Sequence, residues 1–504
     1  MKVLIANRGE IAVRVIRACR ELGMPTVAVY SDCDRASLHV RYADEAYALG
    51  GDAPGDSYLR IDKLIDIARR SGADAVHPGY GFLAENDGFA SACGEAGLAF
   101  VGPTPAAMAR MGSKTAARRA AEEAGVPLVP GTIDPLDPGV TDAEIAVVAD
   151  SIGYPIFVKA VAGGGGKGMR LVRTPLDLPS AIRAARSEAG SSFGDPSIYI
   201  ERQLERPRHI EIQLLADHAG TIVPFTEREC SIQRRHQKVL EESPSIAVSR
   251  ETRHAIANAA VAVARTVGYT NAGTIEFLLD TEGKFYFLEM NTRLQVEHPI
   301  TELVSGVDLV TWQLRIARGE KLTLSPENTL APSGHAIECR IYAEDPDNGF
   351  LPSPGLLFGR RVPGGAGVRR DDGGATPGLE VPIHYDPLIA KLSAWGTDRA
   401  EAIARMSRAL GEYEVRGIRT SIPFFRWLLE QDDFRAGRFD TTFLDRELSS
   451  RNGVPFLTLP AEAERIALVA AAIAACDRAA SPAARRRSSV AGGWKRQARA
   501  EALR

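Results

Sequence analysis

Several features that a 504-residue chain often carries are missing here. No apolar run approaches the ~20 residues needed to span a bilayer, so a membrane is not an expected partner. The N-terminal stretch MKVLIANRGE lacks the apolar region and cleavage site of a secretory signal. Six cysteines (19, 33, 93, 230, 339 and 476) show no CxxC and no paired spacing. That pattern argues against a zinc site or a disulfide framework and suits a reducing cytoplasm. An excess of one charge is also lacking: at net −3, nothing electrostatic points to nucleic acid or an anionic membrane. What remains is an expected cytoplasmic, soluble chain, 45% apolar and 25% charged, long enough for roughly three domains.

Two nucleotide-binding fingerprints are missing as well. The ANRGE turn is not a GxGxxG, so dinucleotide binding is not inferred from it. The GGGGKGM stretch (163–169) fails the Walker A pattern, because Val161 stands where a glycine is needed and Gly168 follows Lys167. A glycine-rich loop between two strands reads instead as a flap whose backbone N–H groups fold over phosphates, or as a plain hairpin tip. Lys159, on the strand before it, puts a positive charge where a phosphate would lie.

The elements that are present suggest the organisation. Residues 2–6 read as a strand and 10–22 as a helix, with Ile11, Val15, Ala18 and Leu22 on one face. Gly23 ends that helix and PTVAVY gives the next strand, the βαβ start of a doubly wound domain closing near residue 112. From 113 to 330 the texture changes. The run RHIEIQLLAD sets His209, Glu211 and Gln213 against Ile210, Ile212 and Leu214. Residues 331–446 read as mainly β, and 447–504 as an Ala-rich helix (461–480) followed by a basic tail. From 481 onward there are seven Lys/Arg, one acidic residue and the lone Trp494, a composition typical of a solvated end.

The run FYFLEMNTRLQVEHP (285–299) carries the chemistry. From Glu289 every second residue is polar: Glu289, Asn291, Arg293, Gln295, Glu297. On one continuous strand these would share a face, as they also would on a merely solvated edge strand. The four-residue turn Thr281–Lys284 predicts that Asp280 pairs with Phe285, which sets Glu276 opposite Glu289. Like charges facing each other destabilise a ladder. A divalent cation reverses that sign, and Mg²⁺ prefers one or two carboxylates plus phosphate oxygens. Asn291 adds an oxygen on the same face. Arg293 then serves a planar oxyanion and Glu297 its proton, the pattern for activating an acid by phosphorylation, with bicarbonate the smallest such acid.

The strings IANRGEIAVRVIRACRELG, HPGYGFLAEN, GGGGKGM, RHIEIQ, CSIQRRHQKVLEE, EMNTRLQVEHPITE, GHAIECRIYAEDP and LPSPG closely resemble the biotin carboxylase family of biotin-dependent carboxylases, within the ATP-grasp superfamily. The resemblance runs in order from residue 2 to about 446. It implies an α/β and α+β architecture: a doubly wound N-terminal domain (1–112), an ATP-grasp domain with a glycine-rich flap (113–330) and a mainly-β C-terminal domain (331–446). It places ATP at Lys114, Lys159, Gly163, Gly164, Gly165, Gly166, Lys167, Gly168, Met169, Glu201, Arg202, Gln203, Leu204, His209, Gln233, His236, Glu276 and Glu289. Mg²⁺ (or Mn²⁺) would fall to Glu276, Glu289 and Asn291, and bicarbonate to Lys238, Arg293, Gln295 and Val296. Glu297 would be the general base and Arg340 the group that steadies the biotin enolate. Ala162 and Lys167 depart from the Gly and Arg of many relatives, with flexibility and charge kept.

One further absence then gains meaning. No Ala-Met-Lys-Met biotin acceptor occurs, and the only Met-Lys is Met1-Lys2. The resemblance therefore implies a subunit whose biotin sits on a separate carrier protein and whose carboxyltransferase is another chain, with a homodimer expected. Acetyl-CoA, propionyl-CoA, longer acyl-CoAs and pyruvate are acceptors served by such subunits; acetyl-CoA carboxylase is the favoured reading. A ligase joining a carboxylate to an amine, and a silent nucleotide-binding regulator, are the rival readings of the residues.

Overall fold

The structure is a computed structural model that describes residues 1–161, 169–374, 378–457 and 461–480. The loop residues Gly163, Gly164, Gly165, Gly166, Lys167 and Gly168 and the basic tail 481–504 lie outside the described residues. Residues 1–453 form one compact unit and 454–504 a second, in which Ala461–Ala480 is helical. No helix among the described residues is long and apolar enough to cross a membrane.

The strands β1 (Val3–Ile5), β2 (Thr26–Tyr30), β3 (Glu45–Ala48), β4 (Ala75–His77) and β5 (Ala99–Phe100) pair in parallel in the order 3-2-1-4-5. Such strands bury both faces, which is why VLI and VAV are unbroken apolar runs. Val3 and Ile5 pack on helix α1 (Gly9–Glu21) through Ile11, Val15 and Ala18. Leu4, Val27 and Val29 pack the opposite way, on Leu64, Ile67 and Phe89. Leu22 sits at the edge, and Gly23, with φ +67°, turns the chain out of the helix at little cost because it has no Cβ.

A three-stranded antiparallel sheet follows, β6 (Ile156–Ala160) between β7 (Met169–Val172) and β8 (Ile198–Arg202), covered by helix Leu178–Phe193. The largest sheet gathers β9 (Arg208–Ala216), β10 (Ile222–Pro224), β11 (Arg228–Arg234), β12 (Gln237–Ser243), β13 (Asn271–Leu279) and β14 (Phe285–Asn291). It runs on into β15 (His335–Tyr342), β16 (Val368–Asp372) and β17 (Leu388–Gly396). The path is β14-β13-β9-β11-β12-β15-β17-β16, with β10 on the side of β9. One sheet thus spans the central and C-terminal stretches.

Alternation decides what each face meets. On β9 and β13, Ile210, Ile212, Leu214, Ile275 and Phe277 bury against helix α2 (Arg250–Thr266). The other face carries His209, Glu211, Gln213 and Glu276, all buried, because these polar groups cover one another. On β15 and β17, Ile337, Cys339, Leu392 and Ala394 are buried on the side covered by helix α4 (Arg399–Glu412). The face bearing Glu338, Arg340, Lys391 and Ser393 lies under helix α3 (His298–Ser305).

Two expectations about the hairpin need correction. The ladder pairs Leu279, not Asp280, with Phe285, and runs in that register to Phe277–Phe287. A bulge at Leu288 then shifts the pairing by one residue and brings Glu289 opposite Glu276. The pair is the expected one, reached through a local insertion that re-aims Glu289. The strand also stops at Asn291 instead of continuing to Glu297. Residues 292–297 turn without strand pairing, because α3 starts at His298 with Pro299 in its first turn, where proline's fixed φ suits a helix start.

Candidate active site

A cavity of about 780 Å³ opens over the polar face of the large sheet. It is lined by Lys114, Lys159, Met169, Gln203, Leu204, His209, Gln233, His236, Lys238, Glu276, Glu289, Asn291, Arg293, Gln295, Val296, Glu297 and Arg340. Of the remaining expected residues, Glu201 is buried behind Lys159 and ion-pairs with it and with Arg118, while Arg202 is exposed at the end of β8. Neither lines the cavity. Thr441, Thr442 and Asp445, to which the sequence assigned nothing, line it from near the end of the first unit.

At one end a single ammonium organises the charges. Lys238 Nζ donates to Glu211, to Glu276 Oε1 at 2.8 Å and to Glu297 Oε1 at 2.7 Å. Three carboxylates take up the three N–H donors that a lysine has. Burial alone would lower the Lys238 pKa, but the three carboxylates outweigh it and raise it well above the ordinary value. The acids respond in kind. Burial pushes Glu297 up, yet Lys238, Arg340 and Arg228 together hold it below the usual carboxylate range. Glu276 is likewise held well below, by Lys238 and His209 against burial.

Glu276 is the most heavily engaged carboxylate. Its Oε1 accepts from Asn291 Nδ2 at 2.9 Å and Gln295 Nε2 at 2.8 Å, and His209 Nε2 stands 2.9 Å from its Oε2. Gln233 Nε2, which also donates to the Cys230 carbonyl, lies 3.0 Å from His209 Nδ1.

The other end is arranged differently. Among the described residues Glu289 makes no hydrogen bond or ion pair, and burial together with the charge of Glu276 raises its pKa. Lys114 likewise makes no side-chain hydrogen bond or close ion pair among them, and burial lowers its pKa against the nearby Glu289 charge, with Lys159 adding to the lowering. The carboxylate and the lysine face the same space, close enough to feel each other's charge but without a direct ion pair among the described residues. A divalent cation carrying phosphate oxygens suits Glu276, Glu289 and Asn291, two acids and an amide oxygen within one strand pair.

Arg340 is half-buried in the cavity wall, not a surface ion-pair residue. Its Nε donates to Glu241 Oε1 at 2.7 Å and its Nη2 to Glu297 Oε2 at 2.8 Å. Arg293 Nε donates to Glu85 at 3.0 Å and its Nη2 to Asn291 Oδ1 at 2.9 Å. His236 follows Arg235 in the two-residue turn between β11 and β12, both with φ above zero. That turn geometry normally selects Asn-Gly, so backbone strain is kept here beside the cavity.

Comparisons with known proteins agree with this geometry. Residues 1–108 match "Biotin carboxylase, N-terminal domain", 113–325 "Carbamoyl-phosphate synthase L chain, ATP binding domain", and 338–446 "Biotin carboxylase C-terminal domain". The chain belongs to the biotin carboxylase family. It is 52% identical to a pyruvate carboxylase component of Methanothermobacter thermautotrophicus over 445 residues, 88% of this chain and 89% of that one. It is also 52% identical to Biotin carboxylase 1 of Bacillus subtilis over 446 residues, 88% of this chain and 98% of that one. The biotin carboxylase domain dimer of Hydrogenobacter thermophilus 2-oxoglutarate carboxylase, solved with MgADP, ADP and bicarbonate, aligns with a TM-score of 0.86. That match is 45% identical and covers 91% of this chain and 99% of that one. As a member of this family the chain is an enzyme, an ATP-dependent carboxylase of the ATP-grasp type.

Besides Thr441, Thr442 and Asp445, Glu211 and Arg228 of this biotin carboxylase site were given no role from the sequence. Glu211 pairs across β9 and β13 with Glu276, so Glu289, Glu276 and Glu211 form a row of acids over three strands. Arg228, wholly buried at the end of that row, donates to Glu211, Gln213, Thr274, Thr301 and Gln295. The alternation in RHIEIQ pointed to Glu211; for Arg228 no local signal existed.

Proposed function

We propose that this chain uses ATP to activate bicarbonate and carboxylates biotin carried on a separate protein. The observation that supports it most is the Lys238–Glu297–Arg340 cluster beside Arg293, a carboxylate base ringed by cations at one end of the cavity. Lys114, Lys159, Met169, Gln203, Leu204, His209, Gln233 and His236 receive the nucleotide. Mg²⁺ (or Mn²⁺), held by Glu276, Glu289 and Asn291, screens the phosphate charge when bound.

Bicarbonate sits against Lys238, Arg293, Gln295 and Val296. Glu297, already ionised, takes its proton as the freed oxygen attacks the γ-phosphorus; the bond to ADP breaks and carboxyphosphate forms. The anion also draws on Lys238 and the arginines, so Glu297 loses part of the positive field that keeps its pKa low and becomes a better base. Carboxyphosphate splits into CO₂ and phosphate. Phosphate removes the N1′ proton of biotin, Arg340 steadies the enolate, and the nitrogen bonds to CO₂. Positioning and preorganised charge supply the acceleration.

In this reading residues 1–112, 113–330 and 331–446 are the N-terminal, ATP-grasp and C-terminal domains. The biotin carboxyl carrier protein and the carboxyltransferase are separate chains, the enzyme is a cytoplasmic homodimer, and acetyl-CoA is the acceptor, placing it in fatty acid synthesis. Relatives named for pyruvate and 2-oxoglutarate carboxylation show that the acceptor varies within the family. Two measurements test the reading. ADP release from ATP should require bicarbonate and rise with free biotin; release that depends on a carboxylic acid and an amine instead would indicate a different ligase, and no release a silent regulator. The carrier that copurifies, assayed with its carboxyltransferase on acetyl-CoA, propionyl-CoA and pyruvate, should favour acetyl-CoA; a preference for another would overturn that assignment.

A further inference from the structure

Residues 292–297 carry Arg293, Gln295 and Glu297, yet this stretch has no strand or helix pairing to hold it. Among the described residues the backbone N–H groups of Gln295, Val296 and Glu297 donate to no protein acceptor. The stretch is pinned by contacts from elsewhere in the fold. Glu85 accepts from Thr292 N at 3.1 Å and from Arg293, Leu294 is wholly buried beside α1, and Arg228 holds the Gln295 side chain. Lys238 and Arg340 hold the Glu297 carboxylate, Glu276 accepts from Gln295, and His298 Nδ1 lies 2.8 Å from the Gln295 carbonyl. The Val296 carbonyl is held by Lys391, whose Nζ donates to it at 2.9 Å.

Lys391 is fully buried on β17, opposite Arg340 on β15 and Asp371 on β16. Its ammonium lies 3.3 Å from Glu10 Oε2 in the first turn of α1, 4.0 Å from Asp371 and 5.6 Å from the Tyr80 ring centre. Burying a charge is costly, and a buried ion pair is often no more stabilising than apolar packing of similar volume. Stability alone therefore gives little reason for a lysine here. Its contact one residue before Glu297 does. In a trans peptide the C=O and N–H point opposite ways. Holding the Val296 carbonyl on Lys391 thus aims the Glu297 N–H away from it, and that N–H has no protein acceptor among the described residues.

We propose that Lys391 is a positioning residue: it clamps the peptide between Val296 and Glu297 and so fixes the oxyanion-facing backbone and the base together, with Glu10 and Asp371 as its counter-ions. This rests on the bicarbonate reading above. It makes the C-terminal strand β17 a part of bicarbonate binding without touching the substrate.

The test compares Lys391→Met, Lys391→Arg and Glu10→Gln in bicarbonate-dependent ADP release, with melting temperatures measured alongside. Both Lys391 variants should raise the KM for bicarbonate by about tenfold or more and leave the KM for MgATP within about twofold, the sign of a lost site-specific contact. Glu10→Gln removes a counter-ion and keeps the clamp, so its bicarbonate KM should stay near the wild-type value. A purely structural ion pair would make Glu10→Gln and Lys391→Met alike and move no single KM. If Lys391→Met does not fold, Lys391→Arg, which keeps the charge and alters the reach, carries the comparison. A folded Lys391 variant with a wild-type bicarbonate KM overturns the clamp; a wild type without bicarbonate-dependent release overturns the functional reading first.

Discussion

The two ends of the cavity balance their charges in opposite ways. Around Lys238 each charge has its partner: three carboxylates on one ammonium, Arg340 across Glu241 and Glu297, Arg228 closing the row of acids. Around Lys114 and Glu289 the two charges feel each other across the cavity but make no hydrogen bond or close ion pair among the described residues. A pre-paired end suits a small anion that must meet fixed dipoles and a fixed base. An end whose charges stay open to the cavity suits a polyanion that arrives with its own cation. On the proposed reading, one sheet face would then receive a small anion at one end and a polyanion with its cation at the other.

Breaking the paired end should have the largest effect. Lys238→Met leaves Glu211, Glu276 and Glu297 without their shared counter-ion, and uncompensated buried charge is strongly destabilising. Bicarbonate-dependent ADP release should fall by about 10²–10³-fold or more, as when a preorganised electrostatic group is lost, and the melting temperature should drop. A variant with normal stability would mean that the three carboxylates find other compensation.

The two carboxylates proposed to hold the metal sharpen the contrast, because one belongs to each end. Glu276→Gln and Glu289→Gln should each slow turnover by well over about tenfold and shift the Mg²⁺ titration upward. Only Glu276→Gln should also cost stability, since it alone has Lys238, Asn291, Gln295 and His209 as partners. Mg²⁺ titrations identical to wild type in both would remove the carboxylate pair from the metal site.

A smaller effect comes from the acids beneath Arg340. Glu241 and Glu338 stand directly opposite on β12 and β15, and burial pushes Glu338 up to about 7. Between pH about 4.5 and about 7 the folded chain keeps a proton that the unfolded chain has released, so this group's contribution to stability falls as pH rises through that window. Glu338→Gln cannot titrate. Its melting temperature relative to wild type should therefore be higher at about pH 8 than at about pH 5; a flat difference would mean the carboxyl titrates at its ordinary value.

What could be read from the sequence follows the range of the interactions. The βαβ start and the Glu276–Glu289 pair rest on neighbouring residues and a short turn, and both were legible. The bulge at Leu288 was not, because a one-residue insertion leaves no mark on an apolar run. Polar alternation continues to Glu297 although the strand ends at Asn291, and only Pro299 hinted at the break. Arg228 and Lys391 meet Gln295 and Val296 across 67 and 95 residues of chain, so nothing near them in sequence announces their roles. Of the site expected from the resemblance, Glu201 and Arg202 fall behind or outside the cavity wall, and residues 163–168 lie outside the described residues.

The central claim is that Glu297 acts on bicarbonate and Arg340 on biotin, although the two touch at 2.8 Å. The direct test is bicarbonate-dependent ATP cleavage measured beside biotin carboxylation in Glu297→Gln and Arg340→Ala. Glu297→Gln keeps the shape and loses the base, so both activities should fall together by about 10²–10⁴-fold. Arg340→Ala leaves Lys238 on Glu297, so biotin carboxylation should stop while some bicarbonate-dependent cleavage persists. Near-normal cleavage in Glu297→Gln with cleavage lost in Arg340→Ala would contradict the account and exchange the two roles.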